Sequence, residues 1–350
     1  MSSSQPPSIW FSLLGLGPHK RPLHFIALVG LCSGLPAFIG AIIGDFQHGL
    51  MAVMGAMAVM YLPFAPLPQR MVTIQVVAFG LACCFGLGLV GSIHPLGSAL
   101  TLGMTAFLIS LVTGYFKVPP PANFFFIMVA SIAAVIPHDM SAVPERVGLL
   151  VMGSMGSALM AFGYALLFPI NTAAGSQAIQ SPSRSEIHSL ISQSVVMGLF
   201  VGGSYWLAIL IGLNNPYWVP ISCAAVMQGV NLRHVWLRQI HRISGTAIGM
   251  VLAWGLFSVL EGPWLLTLAI VLLSFLIEML ITRNYGYAVI FITPLTVIFS
   301  EVASVGVPTD ELASARLIDI VLGSVMGFVG GWVIHKGLLP RFRDSSESKL

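Results

Sequence analysis

Long apolar runs, broken by Pro, Gly, Asn or a charge, divide the chain into twelve segments, each a candidate helix in lipid. They fall near 23–44, 48–64, 71–90, 97–116, 121–137 and 146–168, then 189–211, 216–230, 239–260, 263–281, 284–300 and 315–337. No Asp, Glu, Lys or Arg occurs from Met71 to Phe116 or from Ile187 to Leu232, 46 residues each. About 20 residues at ~1.5 Å rise cross a hydrocarbon core of ~30 Å, so each window holds two spans. The second and eighth segments are short and are expected to be tilted or broken.

Composition sharpens this pattern. Of 350 residues, 57% are hydrophobic and 8% charged, with a mean hydropathy of +0.93, against roughly 25% charged in a soluble protein. Lipid must therefore be part of the solvent. The net charge of +3 does not make a phosphate-binding face, so nucleic acid is excluded as a partner. Cys32, Cys83, Cys84 and Cys223 lie in apolar runs without metal spacing and read as small apolar side chains. The first 25 residues have no early basic region followed by a cleavable apolar segment, and no signal peptide is read.

Basic residues gather on the cytoplasmic side of a membrane. With the N-terminus inside and twelve alternating spans, 13 of the 15 basic residues are inside, from Lys20 and Arg21 to Lys349. Arg146 and Arg316 remain outside, with Asp45, Asp139, Glu145, Glu261, Glu301, Asp310 and Glu311. Both termini are then cytoplasmic.

Two pieces of the chain echo each other. In "RVGLLVMGSMG" from Arg146 and "RLIDIVLGSVMG" from Arg316, the arginine precedes Gly153–Ser154 and Gly323–Ser324 at the same spacing. The expected fold is all-α and polytopic, with about twelve transmembrane helices in two parallel six-helix repeats related by an axis along the membrane normal. The divisions are a cytoplasmic segment 1–22, a first half 23–168, a flexible linker 169–188, a second half 189–338 and a tail 339–350. Glycines at 323, 327 and 331, and small residues at 153, 157 and 161, recur every four positions, a spacing that lets helix backbones approach in lipid.

"NPYWVPISCAAVMQ" (215–228), "RISGTAIG" (242–249), "RNYGYAVIFITPL" (283–295) and "RLIDIVLGSVMG" (316–327) together resemble the fusaric acid resistance and aromatic acid exporter family. In the first half, "PPPANFFFIMVA" (119–130) is similar to that family's proline-then-phenylalanine segment. The resemblance is best over 189–338. It implies a bacterial inner-membrane transporter that expels aromatic carboxylic acids at the expense of the proton gradient.

Ionisable residues inside a membrane cost roughly 2.5–3.5 kcal/mol each on insertion scales and are functional candidates by default. Arg238 and Arg242 share a helical face with Gly245 and Gly249. Two guanidinium groups beside residues without side chains offer a carboxylate both grip and room; the alternative is snorkelling to inner headgroups. Arg316 and Asp319, three apart, are expected to neutralise one another or to relay protons, with Glu278 as rival carrier or as partner to Arg283 or another inner arginine. Gln228, Asn123 and Asn284 sit near cytoplasmic helix ends, on the anion pathway or satisfying broken backbone. Tyr217 and Trp218 fit an interfacial aromatic belt or a surface on which an aromatic substrate stacks.

No nucleophile triad, metal-ligand spacing or cofactor motif is present in the sequence, so an enzyme is not expected, nor a cofactor or metal. The leading expectation is a proton-coupled secondary transporter exporting small aromatic or amphipathic organic anions. A passive anion channel and a non-transporting assembly or regulatory partner are the alternatives. Expected partners are the bilayer, the anion, and either a second copy of the chain or an export subunit.

Overall fold

The computed structural model describes residues 13–18, 21–170, 183–303 and 309–338, with backbone alone at 300–303, 309–315 and 338. Residues 1–12, Lys20, the linker from 171 to 182, the tail 339–350 and the side chains of Glu301, Asp310 and Glu311 lie outside the described set.

Helices account for all the regular structure among the described residues. The first six are α1 (Leu23–Ile43), α2 (Phe46–Ala56, continued by a 3-10 turn, Met57–Tyr61), α3 (Leu67–Gly91), α4 (Pro95–Tyr115), α5 (Phe124–Ala133) and α6 (Val143–Leu167). They are followed by α7 (Arg184–Leu210), α8 (Trp218–Met227), α9 (Leu232–Phe257), α10 (Pro263–Ile281), α11 (Tyr285–Ala303) and α12 (Thr309–Trp332, continued by a π turn, Val333–Leu338). Local chemistry sets their ends. Asp45 caps α2, Ser183 and Glu186 form a capping box on α7, and Asn231 accepts the His234 amide at the start of α9, each satisfying an orphan N–H of a first turn.

Two boundaries differ from the sequence reading. α9 begins at Leu232, seven residues before the expected 239, so Arg233 rides on its first turn and not in a loop, and Arg238 and Arg242 share its face as expected. α7 begins at Arg184, inside the expected linker. In both places a good N-cap precedes charged residues, and charge alone had been taken as the mark of a loop.

Eight helices are long and apolar enough to cross a membrane, and four shorter apolar ones accompany them: 46–61, 124–133, 218–227 and 285–299. Phe79, Leu159, Val251 and Trp254 are each 70% or more exposed, an apolar belt that only lipid covers. The chain is a polytopic helical membrane protein.

Pairing follows chain order. α1 packs on α2 and α6, α2 on α6, and α3 on α4, α5 and α6. Later in the chain, α7 packs on α8 and α12, α8 on α12, and α9 on α11 and α12. Two extensive contacts join these groups, α4 against α7 and α10 against α1. Lipid gives no hydrophobic drive between helices, so close approach replaces it. A Cβ at Gly30 would stand 3.1 Å from the Val271 carbonyl oxygen, and one at Gly198 would stand 2.7 Å from that of Gly103. The four short helices meet in the middle, α5 on α8, α2 on α11 and α5 on α11.

Candidate functional site

Where the short helices meet lies a cavity of about 400 Å³. Its first wall comes from the end of α2 and from α5: Met57, Met60, Phe124, Phe125 and Met128. This wall is aromatic and thioether, polarisable and able to adapt to a flat apolar body. The opposite wall comes from α8, α9 and α11 and carries Trp218, Gln228, Arg238, Arg242 and Thr296. Arg21, ahead of α1, and Glu278 and Thr282, on α10, complete it.

Arg242 is the central feature. It is 3% exposed, and its Nε and Nη2 donate to Ser222 Oγ at 3.4 and 3.3 Å. Among the described residues no carboxylate lies within ion-pair distance of it. A buried guanidinium without a counterion is costly unless charge and hydrogen bonds are supplied from elsewhere, and an anion in the cavity would supply both.

One turn earlier, Arg238 donates from Nη1 to the Ala225 carbonyl at 2.9 Å and lies 4.9 Å from the centre of the Tyr285 ring. Its Nη1 also reaches Gln228 Oε1 at 3.5 Å. Gln228 Nε2 in turn donates to the Pro121 carbonyl at 3.0 Å and to Asn123 Oδ1 at 2.8 Å, while Asn123 Nδ2 donates to Ser110 Oγ at 2.7 Å. Gln228 and Asn123 thus tie the start of α5 to the end of α8, and backbone outside a helix is tolerated in a membrane only inside protein. Glu278, 3% exposed, forms an ion pair with Arg21.

Several sequence expectations need correction. Gly245 and Gly249 leave no lane for an anion: a Cβ there would stand 2.8 Å from the Gly286 carbonyl oxygen and 2.6 Å from that of Ile290, so α11 fills the space. Asn284 lies outside the cavity lining; its Nδ2 donates to the Leu13 and Gly15 carbonyls at 3.0 Å each. Tyr217 and Trp218 are each 2% exposed, which removes them from a lipid-facing belt. Arg316 and Asp319 do not pair within 4.0 Å. Spacing put them on one face, but the Arg316 guanidinium turns to lie 3.8 Å from the centre of the Trp218 ring and donates to Thr296 Oγ1. Asp319 is fully buried, and neither carboxylate oxygen has a hydrogen-bond partner.

Of the sequence candidates, then, Arg238, Arg242, Gln228, Trp218 and Glu278 share one cavity, and Asn123 supports its rim. Arg316 touches it through Trp218 and Thr296. Sequence reasoning missed Arg21, the three methionines of the first wall, Phe124 and Phe125 as site residues, and Tyr285. Those positions carry no local motif; the cavity gathers them from segments far apart in the chain.

Comparison with known proteins adds the following. Residues 201–330 match the family of fusaric acid resistance protein-like sequences. Over 147 residues, 42% of this chain, the sequence is 32% identical to the uncharacterised membrane protein YvaC of Bacillus subtilis (strain 168). That stretch spans 23% of the relative's length, so the chain corresponds to under a quarter of it. No solved structure matches the chain.

Proposed function

We propose that this chain, a member of the fusaric acid resistance protein-like family, is a secondary transporter that exports small aromatic or amphipathic organic anions across the bacterial inner membrane in exchange for protons. The observation that carries this reading is the buried Arg242 guanidinium, unpaired by any described carboxylate, lining one cavity together with a group of Phe and Met side chains. A carboxylate satisfies the first and an apolar ring the second.

The architecture that fits this reading is two parallel six-helix repeats with all twelve helices crossing. In its favour, most helix pairings of the first six recur in the last six, and α4 meets α7 as α10 meets α1. At an offset of about 168 residues Gly30 corresponds to Gly198 and Val271 to Gly103, and these make equivalent contacts. Cavity positions correspond too: Met57 with Ala225, Met60 with Gln228, Phe124 with Ile292 and Met128 with Thr296. The cavity then sits on the pseudo-twofold axis, where substrate sites of such folds lie. Its chemistry is not symmetric. Arg70 corresponds to Arg238, but it donates to the Phe168 carbonyl at 3.3 Å and stacks on Tyr164, and Ile74 stands where the second repeat has Arg242. One repeat supplies apolar contact and the other supplies charge, which makes a single oriented anion site.

Inverted membrane vesicles with an acidic lumen test this with benzoate as probe. With the membrane potential clamped at zero, a weak acid partitions on its own into the alkaline compartment, so accumulation in the acidic lumen requires a coupled carrier and not a passive channel. The wild type is expected to concentrate benzoate until a protonophore collapses the gradient. Arg242→Gln is expected to lose about tenfold or more of the uptake rate, since truncating one side of a buried charge pair costs about 2–5 kcal/mol, with Arg242→Lys intermediate. Unchanged uptake in Arg242→Gln would remove this site from the pathway. Asp319, a buried carboxylate without a hydrogen-bond partner, is the proton carrier in this reading. Asp319→Asn is expected to equilibrate benzoate without concentrating it, and full accumulation in that variant rules Asp319 out.

A further inference from the structure

The first described residues lie across the cytoplasmic end of α9–α11. His241 Nε2 lies 3.1 Å from the Leu13 carbonyl oxygen, to which Asn284 Nδ2 also donates. Tyr287 Oη donates to the Leu14 carbonyl at 3.3 Å, and Arg283 Nε to the Gly17 carbonyl at 3.1 Å. Gly17 N–H returns a bond to the Arg283 carbonyl at 3.1 Å. These contacts use the strap's backbone almost alone. Among the described residues its charged attachment is Arg21, whose guanidinium lines the cavity and pairs with Glu278.

We propose that Arg21 is the first contact for the substrate carboxylate, and that Glu278 occupies it as a tethered competitor: an incoming carboxylate replaces Glu278 on the guanidinium and frees residues 13–18 from α9–α11. This inference rests on the anion reading above and adds to it a second anion site at the cytoplasmic end. Energetics favour such a device. Opening the pair without an anion strands the buried Glu278 carboxylate beside a partly buried guanidinium, which is unfavourable. Exchanging one carboxylate for another keeps the guanidinium paired throughout and costs little, because a guanidinium grips either carboxylate with the same planar fork. Glu278, released, still faces the donors of Arg238 and Thr282 on the same cavity wall.

Hydrogen exchange of the purified full chain in lipid nanodiscs, read at the Gly17 amide, which donates to the Arg283 carbonyl, tests the inference. Without added anion this amide is expected to be protected in the wild type. It should exchange about tenfold faster or more in Glu278→Gln and in Arg21→Gln, each of which breaks the same charge-assisted pair. Benzoate is expected to produce the same acceleration in the wild type and none beyond it in the two variants. Protection retained in both variants overturns the proposal and leaves the Arg242 site standing. So does wild-type exchange that benzoate does not alter, provided vesicles take benzoate up. Variants that open the strap while benzoate is neither transported nor felt would defeat the displacement and the anion reading together. As a transport readout, Glu278→Gln is expected to lower the KM for benzoate; a raised KM with lost accumulation would make Glu278 a proton carrier instead and overturn the competitor role.

Discussion

Arg242 and Arg316 show two ways in which a guanidinium is accommodated inside a helix bundle. Arg316 is covered on one face by Trp218 and hydrogen-bonded by Thr296, an arrangement that offsets burial through cation–π contact. Arg242 has one hydroxyl at long range and borders open volume. The difference was invisible in the sequence, where both were arginines near helix ends. Glycines behave in the same position-dependent way. On α6, a Cβ at Gly153 would collide with the backbone of Ala52, while one at Gly156 would meet nothing within 4 Å. Gly153→Ala should therefore force α2 and α6 apart and lower the thermal midpoint of the detergent-purified protein, by about 1–3 kcal/mol in overpacking cost. Gly156→Ala on the same helix should leave the midpoint unchanged or raise it, by up to about 1 kcal/mol of helix propensity. Equal midpoints for the two variants would refute the close approach of α2 and α6.

At the scale of elements, the apolar segments were readable because hydropathy accumulates over a whole span and a few misplaced residues do not erase it. Each of the twelve segments coincides with a helix. Lengths were less readable. The second and eighth were recognised as short, but α5 was not, since its Phe-rich run stays apolar beyond the residues that are helical. A ten-residue helix such as α8 rises about 15 Å, half of a hydrocarbon core of about 30 Å. The remainder of its path is non-helical backbone, and donors such as Gln228 on Pro121 meet it. That requirement explains why polar residues cluster at these ends, and it is why Asn123 and Gln228 stood out in the sequence as candidates for chemistry. The N-terminal strap left no trace in the sequence, because a backbone carbonyl accepts from His241, Asn284 or Arg283 whatever side chain it carries. The cavity was equally hidden. Its walls lie at second and fifth positions of two six-helix groups, so only the offset between the groups locates them.

For the whole molecule, the question is whether the four short helices cross or turn back. Hydrogen bonds between loops bear on it. Ser92 lies 3.3 Å from His138, Arg70 donates to the Phe168 carbonyl, Gln228 to Pro121, and His335 lies 2.9 Å from the Gly229 carbonyl oxygen. If all twelve helices cross, each of these pairs joins two loops of the same side, the first outside and the others inside. If α2 alone turned back, Gly17 and Arg283 would lie on opposite faces of the membrane and could not meet. Turning α2 and α5 back together would instead strand Ser92 from His138, and Lys117 would lose the cytoplasmic side to which basic residues sort. Twelve crossings are the arrangement that keeps every contact local. Single cysteines at Pro119 and His138, flanking α5, and at Asn214 and Val230, flanking α8, test this in a background where Cys32, Cys83, Cys84 and Cys223 are alanine. A membrane-impermeant maleimide on intact cells is expected to label positions 138 and 214 but not 119 and 230, and inverted vesicles should reverse the pattern. Both members of either pair reacting from one side would make that helix re-entrant, and the parallel repeats, with the axis that places the cavity between them, would then fail.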